Sequence, residues 1–272
     1  MTAVITLTTD FGVRDPYVAE MKAVILGLNP AVRFIDVSHE VAAHDVVEGA
    51  LAVHAMVMVC PEGTIHLAVV DPGVGTRRRG LVVAASGQFF VGPDNGIFTP
   101  VLSGPDWQAF ELRAAEYRRS RVSATFHGRD VFAPAAAHLA LGITPAMFGP
   151  PVRDPVRVAL AETREVGSGV QGQVIHVDRF GNLVTSIDSQ TVERLSRGAG
   201  VLTVRIAGRR MPVVRTYGDL PAGGAGALAG SHGRLEVAVR EGSAAARFRV
   251  RRGTTVRLSR ATTSRMTARA RS

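Results

Sequence analysis

The sequence predicts an α/β protein of two domains: an amino-terminal, mostly parallel sheet flanked by helices, and a smaller carboxyl-terminal all-β barrel. Strand-like and helix-like patterns alternate through the first half, whereas short β-branched segments follow one another in the second. Pro- and Gly-rich breaks separate the halves, and 272 residues exceed what one hydrophobic core usually serves. We therefore expect domains over residues 1–160 and 168–260, and a basic, disordered tail over 261–272.

The first elements are two short strands with a helix between them. Val4 to Thr8 and Phe34 to Val37 are runs of β-favouring residues. Between them, apolar residues recur at helical spacing from Val18 to Leu28, and the Asn-Pro pair that follows ends the helix. Because Asp15 precedes a proline at the start of this pattern, we expect Asp15 to cap the helix.

The next elements extend the sheet. A helix is predicted from Asp45 to Cys60, followed by a continuous apolar strand from Thr64 to Val70, which is typical of a sheet buried on both faces. Asp71 comes directly after that strand. Two further strand-like runs, Leu81 to Ala85 and Gln88 to Val91, are separated by Ser-Gly and predict a hairpin.

A change in composition and residue pattern marks the start of the second domain. An Ala-rich helix is predicted over Arg129 to Leu141, and Pro and Gly then interrupt regular structure. Short β-branched segments follow at Val174 to Val177, Leu202 to Ile206, Leu235 to Val239 and Arg247 to Val250. Their spacing predicts a small antiparallel barrel or sandwich.

The charge pattern weakens the case for nucleic-acid binding. The formal net charge is +9, but nine arginines and no acid follow residue 246, and the rest of the chain is neutral. We expect a frayed basic end rather than a nucleic-acid partner. A nucleic-acid binder acting through this end is the alternative, and it would bind with a steep salt dependence.

The sequence also argues against a membrane protein, a disulfide-linked protein and a metalloprotein. The longest apolar stretch, Val46 to Cys60, contains two polar residues, and the amino-terminal segment lacks the core of a signal peptide, so we expect a cytoplasmic protein with no membrane association. Cys60 is the single cysteine. His39 and His44 flank Glu40 as in a zinc protease helix, but five residues apart rather than four, so no metal is expected.

The segment DPGVGTRRR begins at Asp71, at the sheet edge where open α/β sheets place their ligands. Gly73 and Gly75 resemble a dinucleotide fingerprint, but Arg78 stands where the third glycine would be needed for close packing. An acidic side chain at this edge is well placed to act on a bound ligand. A plain turn, with Asp71 capping it and the arginines solvated, explains the same residues, and both interpretations stay open.

Two other polar segments are candidates for function. The segment TFHGRD places His127 in a loop before a helix, with Arg129 and Asp130 able to hold one another, although a lone histidine is usually structural. The segment DRFGN, from Asp178 to Asn182, combines a carboxylate, a ring and an amide, which suits a nucleoside carrying an ammonium group. A bulged hairpin is the alternative for DRFGN, just as turn chemistry explains GPDNG at 92–96.

Six segments in order resemble one enzyme family, the S-adenosylmethionine hydrolases (adenosine-forming), or SAM hydroxide adenosyltransferases, which are relatives of the fluorinating and chlorinating enzymes. The resemblance extends to about residue 250. The segments are TLTTDFG, DVSHEV, VVDPGVGTRRR, FVGPDNG, TFHGRDVFAPAAAHLA and HVDRFGNLVTSI.

The resemblance implies an amino-terminal α/β domain and a carboxyl-terminal β-barrel, assembled as a homotrimer with each site between neighbouring subunits. It also implies a catalytic triad of Asp71, Arg78 and His127 that orients and activates water, with no metal or cofactor. The family arginine stands seven residues after the aspartate, which selects Arg78 over Arg77.

The same resemblance assigns five side chains to the substrate. Asp10 would accept hydrogen bonds from the ribose hydroxyls, and Asp178 would meet the methionine amine. Asn182 would meet the adenine, with Phe180 packed on the base. Ser231 would help to bind the methionine carboxylate.

These residues predict a hydrolase that splits S-adenosylmethionine into adenosine and methionine by in-line attack of water at the ribose C5′. Asp71 and His127 would accept or relay the proton, while Arg78 would stabilise hydroxide and keep Asp71 ionised. The halogenating relatives replace the PGVG turn with a loop that holds a halide and have arginine where this chain has His232. A halide-dependent enzyme and a SAM- or adenosine-binding protein with negligible catalysis are the alternatives.

Overall fold

A computed structural model describes residues 2–197 and 200–260 of the chain. The chain divides into two compact units, Met1–Ala159 and Leu160–Ser272. The basic tail expected over residues 261–272 lies outside the described residues. Each unit contains one sheet, and the predicted class, an α/β sheet followed by a nearly closed β-barrel, is confirmed.

The sheet of the first unit has six strands in the order β2-β1-β3-β5-β4-β6. The first four of these are mutually parallel, whereas β4 runs antiparallel to both β5 and β6. The strands are β1 (Val4–Thr9), β2 (Arg33–Ser38), β3 (Ile65–Val69), β4 (Gly80–Ala85), β5 (Gln88–Pro93) and β6 (Trp107–Glu111). The hairpin predicted for β4 and β5 is present, while β6 was not predicted.

Helices cover both faces of this sheet. On one face, β1 and β3 pack with α1 (Tyr17–Leu28) and α3 (Ala133–Ala140), and on the other, β3 packs with α2 (Val46–Val57). Asp45 caps α2 by accepting from the Glu48 N–H at 3.0 Å. The expected Asp15 cap on α1 is absent, because Pro16 itself occupies the cap position.

Every residue of β3 is buried, so the prediction of a strand enclosed on both faces is confirmed. Leu67 packs into the core under α1 and α3, while the next residue, Ala68, packs into the core under α2. This alternation follows from the two-residue period of a strand. The longest helices among the described residues have 12 residues each, short of the about 20 that a membrane span requires.

The sheet of the second unit has eight strands and nearly closes on itself. Its order is β11-β10-β14-β8-β9-β13-β12, with β7 paired to β8, and all these pairs are antiparallel. A bridge between Val213 and Ala227 joins the two ends. The strands are β7 (Arg164–Val166), β8 (Gly169–Val177), β9 (Leu183–Asp188), β10 (Leu202–Ile206), β11 (Arg209–Pro212), β12 (Ala225–Ala229), β13 (Arg234–Val239) and β14 (Thr255–Arg260).

One predicted strand of the second unit is wrong. The segment Arg247–Val250 includes the last two residues of the short helix α5 (Ala244–Phe248) and the two that follow it, and it forms no strand. Ser243 caps this helix by accepting from the Ala246 N–H at 3.1 Å, and alanines favour the helical turn. The second unit also contains α4 (Ser189–Ser196), which was not predicted.

Asp130 fixes the loop that leads into α3. Its carboxylate is 0% exposed and accepts from Arg129 at 2.7 Å, from Arg119 at 3.0 Å and from the Ser123 N–H at 2.8 Å. The predicted contact between Arg129 and Asp130 is therefore present. Burial alone would raise the pKa of Asp130, but these hydrogen bonds lower it to about 2.

Replacing Asp130 with Asn should destabilise the protein by about 2–3 kcal/mol, because the folded state loses the ionised carboxylate that holds two partly exposed guanidinium groups. The stability from this ionised group is present above the ordinary carboxyl pKa of 3.8 and is lost as the pH falls towards about 2. Urea unfolding of D130N at pH 7 measures the loss, and D106N, at an exposed aspartate, is the control. Equal stability of D130N and D106N would contradict the anchoring role.

Candidate active site

Two carboxylates meet at one edge of the first sheet because they follow neighbouring parallel strands. In the β1–β3 pair Thr9 lies opposite Val69, so the segments that follow these two strands leave the sheet side by side. Asp10 comes directly after β1, and Asp71 comes two residues after β3. Both side chains line the same cleft, as expected at the carboxyl edge of an open α/β sheet.

The Arg78 guanidinium joins Asp71 to His127. Its Nε donates to both carboxylate oxygens of Asp71, at 2.8 and 3.0 Å, and its terminal Nη2 makes a further close contact with Oδ2. The same Nη2 lies 2.8 Å from Nδ1 of His127. The side chains of Asp71 and Arg78 are only 5% and 11% exposed. The three residues expected to form a triad are therefore in direct contact.

Two neighbouring loops hold this cluster in place. Gly75 has φ +77°, and a Cβ there would lie 2.5 Å from the carbonyl oxygen of Ala124, so only glycine allows the Asp71 loop to approach the His127 loop. Asn95 of the GPDNG turn donates from its amide to the Val70 carbonyl at 2.7 Å. The turn motifs at 73–75 and 92–96 thus position the strand end that bears Asp71.

The three consecutive arginines have three different environments. Arg77 is exposed, whereas Arg78 contacts Asp71 and His127. Arg79 pairs with Asp94 at 2.7 Å and with Asp154 at 2.9 Å. Asp71 directs its carboxylate to Arg78 rather than capping its own turn, which contradicts the plain-turn interpretation of this segment.

The hydrogen bond from Arg78 determines the tautomer of His127. Arginine is only a donor, so Nδ1 of His127 accepts, and the neutral ring carries its proton on Nε2. Burial, and then the adjacent charge of Arg78, lower the pKa of His127 below its usual 6.5, against the opposing effect of Asp71. The ring is therefore neutral at pH 7.

The cleft around these groups has a volume of about 560 Å³ and an aromatic wall that was not predicted. Phe11, Tyr17 and Phe126 make mutual edge-to-face contacts with centroids 5.2–5.8 Å apart. Phe126 is more than 100 residues from Phe11 and Tyr17 in the sequence, so no local pattern predicts that the three rings meet. Beside them, Asp10 accepts from the His44 N–H at 2.9 Å through Oδ2, which leaves Oδ1 for another donor.

The remaining predicted site residues lie in the second unit, around a cavity of about 890 Å³. Asp178, Phe180, Asn182 and Ser231 all line it. Phe180 is 76% exposed, so its ring face is open to a ligand. Ser231 Oγ lies 3.4 Å from Nδ1 of His232.

Much of the DRFGN loop is explained by turn chemistry. Asp178 Oδ1 accepts from the N–H groups of Phe180 and Asn182 at 2.9 and 2.8 Å, and its Oδ2 accepts from the Asn182 side chain at 2.9 Å. The loop joins β8 to β9, whose register shifts between Val174 and His176. The bulged-hairpin interpretation is therefore correct, and it coexists with a cavity that the same residues line.

The described residues contain no group of three or more His, Cys, Asp or Glu side chains placed to hold a metal ion. His39, whose spacing from His44 differs by one residue from that of a zinc protease helix, contacts Thr9 at 2.9 Å and Asp36 at 3.0 Å. It fixes the ends of β1 and β2 to one another.

Two family models match the chain: the SAM hydroxide adenosyltransferase N-terminal domain over residues 5–149 and the corresponding C-terminal domain over 172–257. The (R)-S-adenosyl-L-methionine hydrolase of Thermus thermophilus is 44% identical over 261 residues, with 92% of this chain and 97% of that protein covered. The fluorinase of Nocardia brasiliensis is 27% identical, with 94% and 96% covered.

Among solved structures, an uncharacterized conserved protein from Thermotoga maritima is similar with a TM-score of 0.87 and 33% identity, over 93% of this chain and 99% of that one. The matched models, in sequence order, span both units of the fold described above. The chain therefore belongs to the SAM hydroxide adenosyltransferase family.

Proposed function

We infer that the protein hydrolyses S-adenosyl-L-methionine to adenosine and L-methionine. The contact of Asp71, Arg78 and His127 at the sheet edge carries this conclusion, together with relatives named as hydrolases of this compound at 36–44% identity. Those names specify the (R) form of the sulfonium centre, and we propose the same epimer as the substrate here.

The substrate itself provides the leaving group. Water oxygen forms the new bond to the ribose C5′, the C5′–S bond breaks, and its electron pair neutralises the sulfonium to a thioether. The proton lost by water must be taken up. The site is thus required to place a water molecule in line with the C–S bond and to remove its proton.

Asp71 is the proton acceptor in the mechanism we propose. Arg78 orients this carboxylate and offers positive charge to the developing hydroxide. His127 carries its proton on Nε2, since Nδ1 accepts from Arg78, so it acts as a donor to the oxygen nucleophile rather than as the first base. No metal or cofactor takes part in this scheme.

The substrate is bound by two sets of residues. The free oxygen of Asp10 accepts from the ribose hydroxyls, beside the aromatic wall of the cleft. Asn182 reads the adenine edge while Phe180 packs on its face, and Ser231 binds the methionine carboxylate. Asp178 has one acceptor position left for the amine after its three loop hydrogen bonds.

We further propose that a homotrimer brings these two sets together, with each site formed by the first unit of one subunit and the second unit of its neighbour. Each unit has a cavity of its own, and both cavities are lined by predicted site residues, which supports this assembly. Asp10, Asp71 and His127 line the first cavity, and the second is lined by Asp178, Phe180, Asn182 and Ser231. A single cysteine, free of any disulfide, fits a reducing compartment, and we place the reaction in the cytoplasm.

Purified protein incubated with each sulfonium epimer of S-adenosylmethionine should release adenosine and methionine in equal amounts, faster from the (R) form. Liquid chromatography measures both products. Chloride and fluoride are added in parallel reactions to detect a halogenated nucleoside. Binding of the substrate without adenosine formation, or a halogenated nucleoside as the main product, would contradict the proposed function.

Replacing Arg78 with Gln should lower kcat by about 10²–10³-fold, because the nucleophile loses its preorganised positive charge and Asp71 loses its partner. R77Q, a change at the exposed neighbour, should leave kcat within about threefold of the wild type, as expected for a surface site. Steady-state kinetics compares the two variants. A loss confined to R77Q would reverse the assignment.

The value of kcat/KM should fall as the pH drops below 6.5, since protonated His127 could no longer accept from Arg78 and would place two cations side by side. Because the pKa of His127 is lowered, this fall lies at more acidic pH than for an ordinary histidine. H127N keeps an acceptor but does not titrate. An unchanged acid limb in H127N would show that another group titrates.

Co-expressed D71N and D178N subunits should recover about one quarter of the wild-type activity, the fraction of intact sites in randomly mixed rings whose sites span two subunits. D71N mixed with R78Q is the matched control and should recover nothing, because both changes damage the same unit. The measurement is the activity of each purified co-expressed mixture, compared with that of each variant expressed alone. No recovery in either mixture would place the whole site within one chain.

A further inference from the structure

A buried glutamate lines the second unit's cavity. Glu236 is in β13, between Leu235 and Val237, which both point into the barrel core. Alternation along the strand directs Glu236 to the outer face, where its cross-strand neighbours are Val184 and Leu228. It is nevertheless only 6% exposed and lines the cavity with Asp178 and Ser231.

Glu236 has a neutral partner but no cationic one. The hydroxyl of Tyr217 donates to its Oε2 at 2.8 Å. Over the described residues, no Arg, Lys or His nitrogen lies within 4.0 Å of this carboxylate, and Oε1 receives no hydrogen bond from the protein. Burial, and then Glu236 itself, raise the pKa of Tyr217 to about 12, so Tyr217 stays uncharged and does not neutralise the carboxylate.

One side of the Glu236 carboxylate lies against the backbone of Gly230. A Cβ at position 230 would overlap the Glu236 carboxylate, so Gly230 allows the carboxylate to lie against the loop. Ser231 follows directly in that loop. The Glu236 carboxylate therefore lies against the residue that precedes Ser231, and both Glu236 and Ser231 line the cavity.

An ionised carboxylate in this position is costly unless a cation joins it, because burial removes most of its hydration. The proposed substrate has two cationic groups. Its sulfonium has no N–H to donate, whereas its ammonium has three. Asp178 can accept only one of these, because three of its roughly four acceptor positions are used within its own loop.

We propose that Glu236 is a second binding residue for the α-ammonium group of the substrate and makes the site selective for adenosyl compounds that carry this group. The proposal rests on the proposed function of the protein. Ser231 and Glu236 then hold the two charged groups of one amino-acid α-carbon, with Asp178 as the other acceptor for the ammonium.

The test compares S-adenosylmethionine with its desamino analogue, in which hydrogen replaces the ammonium group, in wild type and E236Q. The E236Q side chain keeps an acceptor for Tyr217 but has no charge. The preference of the wild type for the ammonium-bearing compound, as a ratio of kcat/KM, should fall by about 10- to 100-fold in E236Q. The loss should appear in KM, with kcat little changed.

Y217F is the matched control, because it removes the hydrogen bond to Glu236 but keeps the carboxylate. It should retain most of the preference for the ammonium group. Thermal melting of both variants checks that they fold. Binding of L-methionine, measured by calorimetry against 4-(methylthio)butanoate, gives a readout that does not need turnover, and E236Q should bind the two compounds more equally than the wild type does.

The outcomes separate the two proposals. If wild type hydrolyses S-adenosylmethionine but E236Q keeps the full preference for the ammonium group, Glu236 has no binding role and the proposed function stands. Equal losses of preference in E236Q and Y217F would show a structural pair and also overturn the proposal. If wild type forms no adenosine from either epimer, the proposed function itself fails.

Discussion

The arginine fork between a carboxylate and an imidazole is the interaction on which the rest of the site depends. Arg78 binds Asp71 through two nitrogens and His127 through one of them, so it sets the orientation of the first and the tautomer of the second. A lysine would provide one point charge and could not satisfy both partners in a fixed plane. The contact of two distant loops is therefore controlled by one planar group.

Electrostatics in the site follow from burial as much as from contact. Asp71 and Arg78 are nearly inaccessible, so their attraction is screened less than that of a surface pair. His127 is held neutral beside the cation. In the second unit a buried carboxylate has no cationic partner among the described residues. Glu236 is therefore complementary to a ligand that carries a positive charge.

The sequence predicted the elements of the first unit well because both its strands and its helices carry strong local signals. The failures lie where tertiary pairing overrides local preference. The β12 segment AGALA has no β-branched residue and forms a strand through its partner β13. Arg247–Val250 has the composition of a strand but begins inside a capped helix. The strand β6 is likewise defined by its pairing with β4.

For the site, residue patterns located Asp71 at the sheet edge, because parallel strands end together, but did not reveal its partners. His127 is 49 residues from Arg78, and only the family resemblance connected them before the fold was known. The aromatic wall of the cleft was missed for the same reason. Its rings come from separate elements and meet only in the folded unit.

The close approach at Gly75 limits how this scaffold can acquire new chemistry. Any side chain at that position would collide with the carbonyl of Ala124, so the loop on the nucleophile side and the loop bearing His127 have to change shape together. Exchange of single residues is thus a poor route from a water-using enzyme to a halide-using one. Redesign would need to graft both loops as one backbone unit, because the obstacle at Gly75 is a backbone carbonyl that no substitution at Ala124 removes.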